Sequence, residues 1–427
     1  MKILISAHEF SPYQGSECAV GWNLINNISK QHEVTVVFAK TNQFNTNSYY
    51  ADILKYIDLH GPIPNVNLIP IPQPFLSKIF IFINKYFGKD KSSIGIPVLY
   101  FIAYNFWQRS VYKFVLNNID FSKIDVIHHL TSISFREPGY LWKIDKPFFW
   151  GPISGNVKIP DGFFCLLTDN QKLFQKLRNY LLDYQLHNSK RISDASIKAS
   201  KIYCVTYEDY FHFQKNQQGK VSYMLDVGCS NQSFLKRKNE TKTIKFLWVG
   251  RIVYSKALPI LLYCISRLQK EILFAKVEYT IIGDGPELEK NMAIANDLNL
   301  KNIKWLGKIK HDEVKYLLSQ ADCLVHTSIR EATSATILEA LSASIPVICH
   351  DAFGMAFAIN NKCGIKVPFV DLETSISGFY SAMLKIINDT NYLKWLSQNA
   401  NKRSKELSWE TMGRTIAKDY TQLKNLV

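Results

Sequence analysis

The chain has 427 residues, of which 47% are hydrophobic and 20% are charged, with 51 basic and 36 acidic side chains. This length is enough for two domains with full cores, and the hydrophobic content is ordinary for a soluble protein. The formal net charge of +15 favours an anionic partner, such as a nucleotide, a nucleic acid or an acidic membrane surface.

The eight cysteines are scattered, without a Cys-x-x-Cys pair or a His/Cys cluster at metal-ligand spacing. They are typical of reduced thiols, which favours a cytoplasmic protein without a metal site. The sequence begins with a strand rather than the apolar region of a signal peptide, and no apolar run has the length of a spanning helix. We therefore expect a cytoplasmic location, either free or peripheral on the inner face of the membrane.

Short apolar strands alternate with longer amphipathic stretches, which is typical of parallel sheets with helices on both faces. The predicted strands are Lys2–Ser6, Glu33–Phe38, Val66–Pro70, Val126–His129, Phe148–Trp150, Ile202–Thr206, Phe246–Gly250, Glu278–Ile282, Cys323–His326 and Val347–Cys349. A polar stretch, Cys229–Thr243, predicts a linker between two doubly wound Rossmann-like α/β domains, residues 1–230 and 244–408. The terminal helix, Trp409–Asn425, is predicted to pack back on the first domain.

The loop Phe10–Glu17 follows the first strand. Gly15 opens a helix over Cys18–Ile28 and would let a phosphate or a sugar approach the backbone. Glu17 is predicted to bind an acceptor hydroxyl. The alternative is a carboxylate that caps the helix.

Aromatic and basic residues are mixed in two segments, Lys78–Lys91 and Tyr100–Arg109. This composition suits contact with anionic lipid. The alternative is a pair of core helices whose lysines face water. A further segment, Arg178–Lys201, is basic along its length, and the same two interpretations apply to it, namely lipid contact or a solvated face.

Two adjacent histidines, His128 and His129, end the fourth predicted strand. Neighbouring residues of a strand point to opposite faces of the sheet, so only one of the two can line a cleft. We expect His129 to line it and His128 to lie in the core. Arg136 and the turn Trp150–Asn156 are predicted to shape the acceptor side.

The second half opens with Val249–Leu258, which runs from a strand into a helix. Gly250 lets the chain turn sharply, and Arg251 and Lys256 can then bind a diphosphate, Arg through its planar fork and Lys as a point charge. Their charge would stabilise a diphosphate leaving group. Further along, a strand runs into a glycine turn at Gly283, which is either structural or a nucleotide contact.

The stretch Arg330–Ala340 is the most informative part of the sequence. Glu331 follows a buried strand, and Glu339 lies eight positions later in a predicted helix. The start of this helix offers free N–H groups and a positive dipole end, which together bind anions. The residues at that start are Ser334, Ala335 and Thr336. Carboxylates beside such a site would repel a phosphate, so we interpret them as acceptors for sugar hydroxyls.

These motifs resemble those of retaining glycosyltransferases of family 4, among the group 1 glycosyl transferases, which have the two-domain GT-B fold with the donor in the cleft. The resemblance rests on the two glutamates, the Gly250–Lys256 loop and the Gly15–Glu17 loop. Ala332 and Ser334 stand where the family usually has glycine, and Gln14 replaces another glycine. The resemblance implies a UDP- or GDP-linked sugar donor, with no cofactor and no nucleic-acid partner.

The resemblance also implies a role for each matching residue. Glu331 would contact the transferred sugar and Glu339 the ribose, and the histidine at the end of the fourth strand would touch the transferred sugar. Gly283 would lie at the nucleotide edge, and the backbone around Ile309 would pair with the base. The implied reaction is metal-independent, retaining transfer of a sugar to a hydroxyl of a saccharide or lipid-linked saccharide, in surface polysaccharide or glycan assembly.

Three alternatives stay open. A GT-B sugar-nucleotide epimerase would use an acid/base carboxylate pair and no acceptor. A phosphorylase would require a lysine-bound pyridoxal phosphate, for which there is no motif. A basic nucleic-acid binder would agree with the net charge, but the chain lacks the clustered basic and aromatic motifs of known RNA modules.

Overall fold

The structure is a computed structural model that describes all residues except 16, 43, 45, 89–94, 218, 231–242, 271–276 and 425–427. Its strands are β1 (Lys2–Ala7), β2 (Glu33–Ala39), β3 (Val66–Ile71), β4 (Val126–Thr131), β5 (Phe148–Ile153), β6 (Ala199–Cys204), β7 (Val221–Tyr223), β8 (Ile244–Val249), β9 (Val277–Ile282), β10 (Ile303–Gly307), β11 (Cys323–His326), β12 (Val347–His350) and β13 (Gly364–Val367).

The α-helices lie between and after these strands. They are α1 (Glu17–Ile28), α2 (Tyr49–His60), α3 (Phe75–Gly88), α4 (Pro97–Asn118), α5 (Asp169–Asn188), α6 (Lys190–Lys198), α7 (Tyr207–Gln214), α8 (Leu258–Leu268), α9 (Leu288–Asp297), α10 (His311–Gln320), α11 (Ala335–Ser342), α12 (Phe353–Ala358), α13 (Leu372–Asn388), α14 (Thr390–Glu406) and α15 (Trp409–Lys424).

The strands form two separate parallel sheets. The first has the order β3-β2-β1-β4-β5-β6-β7, and the second has the order β10-β9-β8-β11-β12-β13. In each sheet the direction of winding reverses at one point, between β1 and β4 in the first and between β8 and β11 in the second. Ligands of open α/β sheets bind at such a reversal, beyond the carboxyl ends of the strands. The loops after β1, β4, β8 and β11 are therefore the places to look for a site.

All ten predicted strands are present, as are the helices predicted near positions 18–28 and 336–341. Three short strands, β7, β10 and β13, were not predicted. In each of them a polar side chain, Ser222, Lys304 or Lys366, interrupts a short apolar run, so the sequence shows no continuous apolar strand there. The predicted linker lies mostly outside the described residues.

The last helix, α15, packs against the first sheet. Met412, Ile416 and Tyr420 are buried in the same core as the residues of β1, β4 and α1. The Tyr203 hydroxyl of β6 donates to Asp419 at 2.7 Å. The chain therefore returns to its first half after completing the second sheet, as predicted, although position 425 lies outside the described residues.

Helices α3 and α4 pack together but differ in what they expose. Tyr104 and Trp107 of α4 are 2% and 0% exposed, so these aromatic residues belong to the core. On α3, by contrast, six apolar side chains are exposed, namely Phe75, Leu76, Ile79, Phe82, Tyr86 and Phe87. The core alternative thus holds for the inner face of α4, and α3 keeps an uncovered apolar face. The predicted residues 89–91 lie outside the described part.

Helix α5, whose second half begins the basic segment Arg178–Lys201, exposes apolar as well as basic side chains. Its exposed side chains include Leu173, Phe174, Leu177, Tyr180, Leu181 and Tyr184. The spacing of these residues places several of them on one side of the helix, next to Lys172 and Lys176. This face is therefore amphipathic rather than simply basic. No helix in the described part of the chain combines the length and apolar character needed to cross a bilayer.

Candidate active site

The loops after β8 and β11 are bound to each other across the reversal point of the second sheet. The Thr327 hydroxyl donates to the Lys256 carbonyl at 2.7 Å and accepts from the Trp248 indole at 3.0 Å. The Ile329 amide donates to the Ser255 carbonyl at 2.9 Å. These contacts fix the turn that carries Lys256 against the loop that carries Glu331.

Glu331 and Lys256 form an ion pair, and each side chain is 20% exposed. Burial alone would raise the pKa of Glu331, but Lys256 and His326 together outweigh burial, and the pKa falls to about 2. His326 Nε2 lies 3.8 Å from the carboxylate, beyond hydrogen-bond distance. Burial also lowers the pKa of His326, so its imidazole is neutral near pH 7. Glu331 is thus a fixed anion held by a fixed cation.

The loop after β8 presents a second basic residue. Arg251 is exposed and forms no ion pair with any described residue. The glycine turn at Gly283 supports this loop, because a Cβ at Gly283 would lie 1.8 Å from the Gly250 carbonyl oxygen. The backbone φ of Gly283 is +140°, which also favours glycine. The turn at Gly283 therefore has a structural function, and its predicted nucleotide contact stays a prediction.

Helix α11 begins directly beside Glu331. Ser334 precedes its first residue, and no side chain caps this end among the described contacts. The first amides of the helix, near Ala335 and Thr336, therefore keep their capacity to bind an anion. One turn further along, the carboxylate of Glu339 lies 2.9 Å from His311 Nε2, which is hydrogen-bond distance. Because His311 follows Ile309 by two residues, the segment predicted to meet the base lies next to Glu339.

In the first domain, Gly15 borders open space, since a Cβ there would meet no atom within 4 Å. Glu17 is the first residue of α1, but its carboxylate points to the loop after β4. It accepts from the Ile133 amide at 3.1 Å and from the Ser132 hydroxyl at 3.4 Å. The carboxylate therefore joins two loops of the cleft wall rather than capping its own helix. Burial raises its pKa to about 7, although the Ile133 amide opposes that shift.

Asp226, in the segment after β7, connects the two sides electrostatically. It is 5% exposed, and burial raises its pKa to about 6. The charge of Glu331 raises the pKa of Asp226 further, and Asp226 in turn raises the pKa of Glu17. Carboxyl groups from the first sheet, the connecting segment and the second sheet are therefore close enough to influence one another.

The two histidines point to opposite faces of β4. His128 contacts the Gly151 carbonyl at 2.7 Å and the Tyr420 hydroxyl of α15, and is a core residue as predicted. His129 lies 3.4 Å from the Tyr104 hydroxyl of α4. Burial lowers the pKa of His129 to about 3. Since His129 is only 1% exposed, its ring forms part of the packed wall and does not line an open cleft.

The arginine predicted on the acceptor side has two neighbours of the same charge. Arg136 stacks on the Phe135 ring at 4.9 Å and donates to the Gln185 side chain at 2.7 Å. Arg178 of α5 is close enough for the charges of Arg330 and Arg136 to act on it. Arg330 belongs to the loop after β11, so these arginines come from both domains.

Comparison with known proteins agrees with this arrangement. Residues 231–403 match the family model for glycosyl transferases group 1. Over 154 residues the chain is 26% identical to the GPI3 subunit of phosphatidylinositol N-acetylglucosaminyltransferase from Saccharomyces cerevisiae, covering 36% of this chain and 33% of the yeast protein. The match thus spans about a third of that relative. Residues 231–403 are thus similar to glycosyl transferases group 1.

Solved structures extend the likeness to the fold of the whole chain. Sucrose-phosphate synthase from Thermosynechococcus elongatus superposes with a TM-score of 0.65 at 15% identity, over 100% of both chains. The Anabaena protein HepE in complex with UDP superposes with a TM-score of 0.59 at 15% identity, over 99% of this chain and 100% of that one. The fold of the chain is therefore GT-B.

Several residues of the site were missed in the sequence. Asp226, Arg178 and His311 have no motif around them, and their partners lie far away along the chain. Arg330 stood beside Glu331, but nothing local distinguished it from a solvated arginine. Within the described ranges, no three His, Cys, Asp or Glu side chains are grouped as metal ligands would be.

Proposed function

We propose that the chain is a retaining, metal-independent glycosyltransferase of family 4. It would move a sugar from a nucleotide-sugar to a hydroxyl of a saccharide or lipid-linked saccharide, as a step in glycan assembly. The observation that carries this proposal is the contact of Glu331 with Lys256 beside the start of α11. A carboxylate, a cation and free helix amides meet there, which matches the hydroxyls and phosphates of a sugar nucleotide.

The donor diphosphate would bind between Arg251, Lys256 and the first amides of α11. Both side chains are basic, and Arg251 has no carboxylate partner among the described residues. Positive charge aimed at the leaving diphosphate stabilises the transition state more than the ground state. Glu339, with His311 at 2.9 Å, would bind the ribose at the other end of the nucleotide.

Glu331 would hold hydroxyl groups of the transferred sugar. A carboxylate with a pKa of about 2 is a weak base at neutral pH, so proton abstraction is a poor use for it. The acceptor proton would instead go to the departing diphosphate on the same face of the sugar. This assignment favours retention without a covalent intermediate on Glu331.

The donor base is the first property to test. HepE was solved with UDP, which makes a uridine nucleotide the first candidate. We would measure the thermal midpoint of the protein with UDP, GDP, ADP and TDP, and then follow hydrolysis of the matching nucleotide-sugars. One base should give a clear stabilisation and a saturable hydrolysis rate. A protein that binds none of the four diphosphates would contradict the proposal.

Dependence on a divalent metal is tested in the same assay. We expect the rate to be the same with EDTA and with added Mg²⁺ or Mn²⁺, since Arg251 and Lys256 supply the positive charge that a metal would otherwise provide. Loss of transfer in EDTA with recovery on adding the metal would contradict this part of the proposal.

The first domain would bind the anionic face of a membrane through α3. Phe75, Phe82 and Tyr86 of α3 are 77%, 70% and 76% exposed, and the exposed Lys78 and Lys85 lie on the same helix. An apolar helix face flanked by lysines is typical of a helix in the membrane interface. The exposed apolar residues of α5 add a second such surface to this domain. The exposed apolar faces of α3 and α5 support a lipid-linked acceptor that is presented at the membrane.

A further inference from the structure

Three arginines from separate elements meet on the first-domain side of the cleft. Arg136 follows β4, Arg178 lies in α5, and Arg330 follows β11. An added Cβ at Gly155 would lie 3.2 Å from Arg136 Nη1, and Arg178 Nη1 donates to the carbonyl of Val157 at 2.7 Å. Burial and the charges of Arg330 and Arg136 lower the pKa of Arg178 to about 10. The three guanidinium groups are therefore neighbours around one short stretch of backbone.

Neutral groups hold these arginines in place. Arg330 stacks on the Tyr254 ring at 5.5 Å, and the Tyr254 hydroxyl accepts from the Gln175 side chain at 2.9 Å. Because Gln175 and Arg178 belong to the same helix, Tyr254 connects the positions of Arg330 and Arg178. Arg136 is held by Gln185, which lies two turns after Arg178 in this helix. The cluster is thus built from contacts that leave its charge uncompensated.

None of the three arginines forms an ion pair with a carboxylate of the described residues, and Arg330 Nη1 is buried without a hydrogen-bond partner. The carboxyl that acts on Arg136 is Asp209, whose own pKa burial raises to about 7. The neighbouring Arg191, in contrast, pairs with Glu137 at 2.7 Å. Partly buried cations without an anion are costly, so their persistence points to a ligand that supplies the charge.

We propose that Arg136, Arg178 and Arg330 bind a phosphate group carried by the acceptor, so that the acceptor is a phosphorylated sugar or a phosphate-linked lipid. The guanidinium fork matches phosphate oxygens in a bidentate manner. A phosphate carries about −1.5 to −2 charge near neutral pH, which balances three cations better than the single charge of a carboxylate. This inference rests on the proposed function, because it takes the cleft to be the site of transfer.

The position of the cluster separates this phosphate from that of the donor. The donor diphosphate is assigned to Arg251 and Lys256 in the loop after β8, whereas Arg136 and Arg178 belong to the first domain. Arg330 precedes Glu331, so it lies where the first-domain site adjoins the sugar being transferred. A phosphate on the cluster would hold the acceptor beside the donor sugar, which lowers the entropic cost of their reaction.

The test uses the full chain saturated with the nucleoside diphosphate that stabilises it most, so that the donor site is filled. Calorimetry then measures the binding of glucose 6-phosphate, dihexanoyl phosphatidic acid, glucuronate and glucose. Arg178→Gln and Arg330→Gln should each weaken the binding of the two phosphate probes by about tenfold or more, as expected for loss of a hydrogen bond between charged groups. Arg330→Lys, which keeps the charge but not the fork, should give a smaller loss.

Arg414→Gln is the matched control, because Arg414 is exposed on α15 and pairs with Glu410. It should leave all affinities unchanged, and every variant should bind the nucleoside diphosphate within about twofold of the parent. The tighter of the two phosphate probes identifies the source as a soluble phosphosugar or a lipid phosphate. The proposal is overturned if neither phosphate probe binds, if glucuronate binds as tightly, or if the arginine variants retain the parent's affinity. If the phosphate probes bind but no nucleoside diphosphate does, the proposed function is overturned, whereas the assignment of a phosphate site to the three arginines is supported.

Discussion

The carboxyl groups on the two sides of the cleft have pKa values shifted in opposite directions. In the second domain, Glu331 and Lys256 neutralise each other, and the pKa of Glu331 is held at about 2. In the first domain, Glu17 has a pKa raised by burial to about 7, and burial also raises the pKa of Glu9 nearby. The carboxyl groups on one side are therefore permanently ionised, whereas those on the other side are partly protonated at neutral pH.

This difference indicates what each side is prepared to bind. In the second domain, Glu331 and Lys256 already hold each other in place, so they can bind a ligand without rearranging first. The first domain has buried carboxyl groups that resist ionisation and arginines that lack a counter-charge among the described residues. In our proposal an acceptor phosphate would complete these electrostatics, and the first domain would be the part that responds to pH and to ligand charge.

The largest effect is expected from the ionised side. Glu331→Gln should lower the transfer rate by about 10²–10³, because it removes a contact of the reacting sugar in the transition state. The thermal midpoint should also fall, because the ionised carboxylate stabilises the native state at neutral pH, so the rates are compared well below both midpoints. The rate is measured with the nucleotide-sugar identified by the stability screen. Glu373→Gln, which breaks the exposed pair with Arg267, is the control and should transfer normally. A rate for Glu331→Gln close to that of the parent would show that this carboxylate does not meet the sugar.

The next largest effect concerns the cations beside Glu331. Lys256→Ala and Arg251→Ala should each weaken binding of the nucleoside diphosphate by about 10- to 100-fold, the cost of losing a hydrogen bond to a charged group. Binding of the nucleoside without phosphates should change little. Calorimetry with both ligands separates the two contributions. If both variants bind the diphosphate as the parent does, the loop after β8 is only structural and the donor lies elsewhere.

The sequence predicted the second-domain side better than the first. The carboxylate, the cation and the helix start are each next to a strong apolar strand, so local pattern places them at the reversal point of the sheet. Glu17 binds the Ile133 amide, 116 positions away, and the arginine cluster joins three distant segments. Such contacts arise from tertiary packing and leave no local pattern. The same holds for α3 and α4, whose similar compositions gave no sign of which aromatic residues the fold buries.

A smaller effect is expected at α3, the helix that we propose to contact the membrane. The double variant Lys78→Gln, Lys85→Gln should lower partition onto vesicles with anionic lipid by about 10- to 30-fold at low salt, since each basic residue near such a surface contributes roughly 1 kcal/mol. Sedimentation with vesicles of graded anionic content measures this. The control is Lys301→Gln with Lys310→Gln, two exposed lysines of the second domain. Equal loss in both double variants, or binding that ignores lipid charge, would mean that α3 does not contact the membrane.

The last test uses a pH dependence of stability, which distinguishes the two sides directly and leaves activity aside. The native pKa of Glu17, about 7, is above the ordinary value of 4.5, so between these pH values the native state binds more protons than the unfolded state. The stability of the parent should therefore fall relative to Glu17→Gln as the pH rises from 4.5 to 7, by about 3 kcal/mol. Glu331→Gln is the internal control. Its carboxylate has a native pKa of about 2, and its contribution to stability is lost only as the pH falls below about 5.

Denaturant unfolding measures the unfolding free energy of the three proteins at pH 5 and at pH 8. The difference between the parent and Glu17→Gln should change between the two pH values, whereas the difference between the parent and Glu331→Gln should stay constant. Parallel curves for all three would mean that Glu17 is ionised in the native cleft, and the contrast between the two sides would no longer hold.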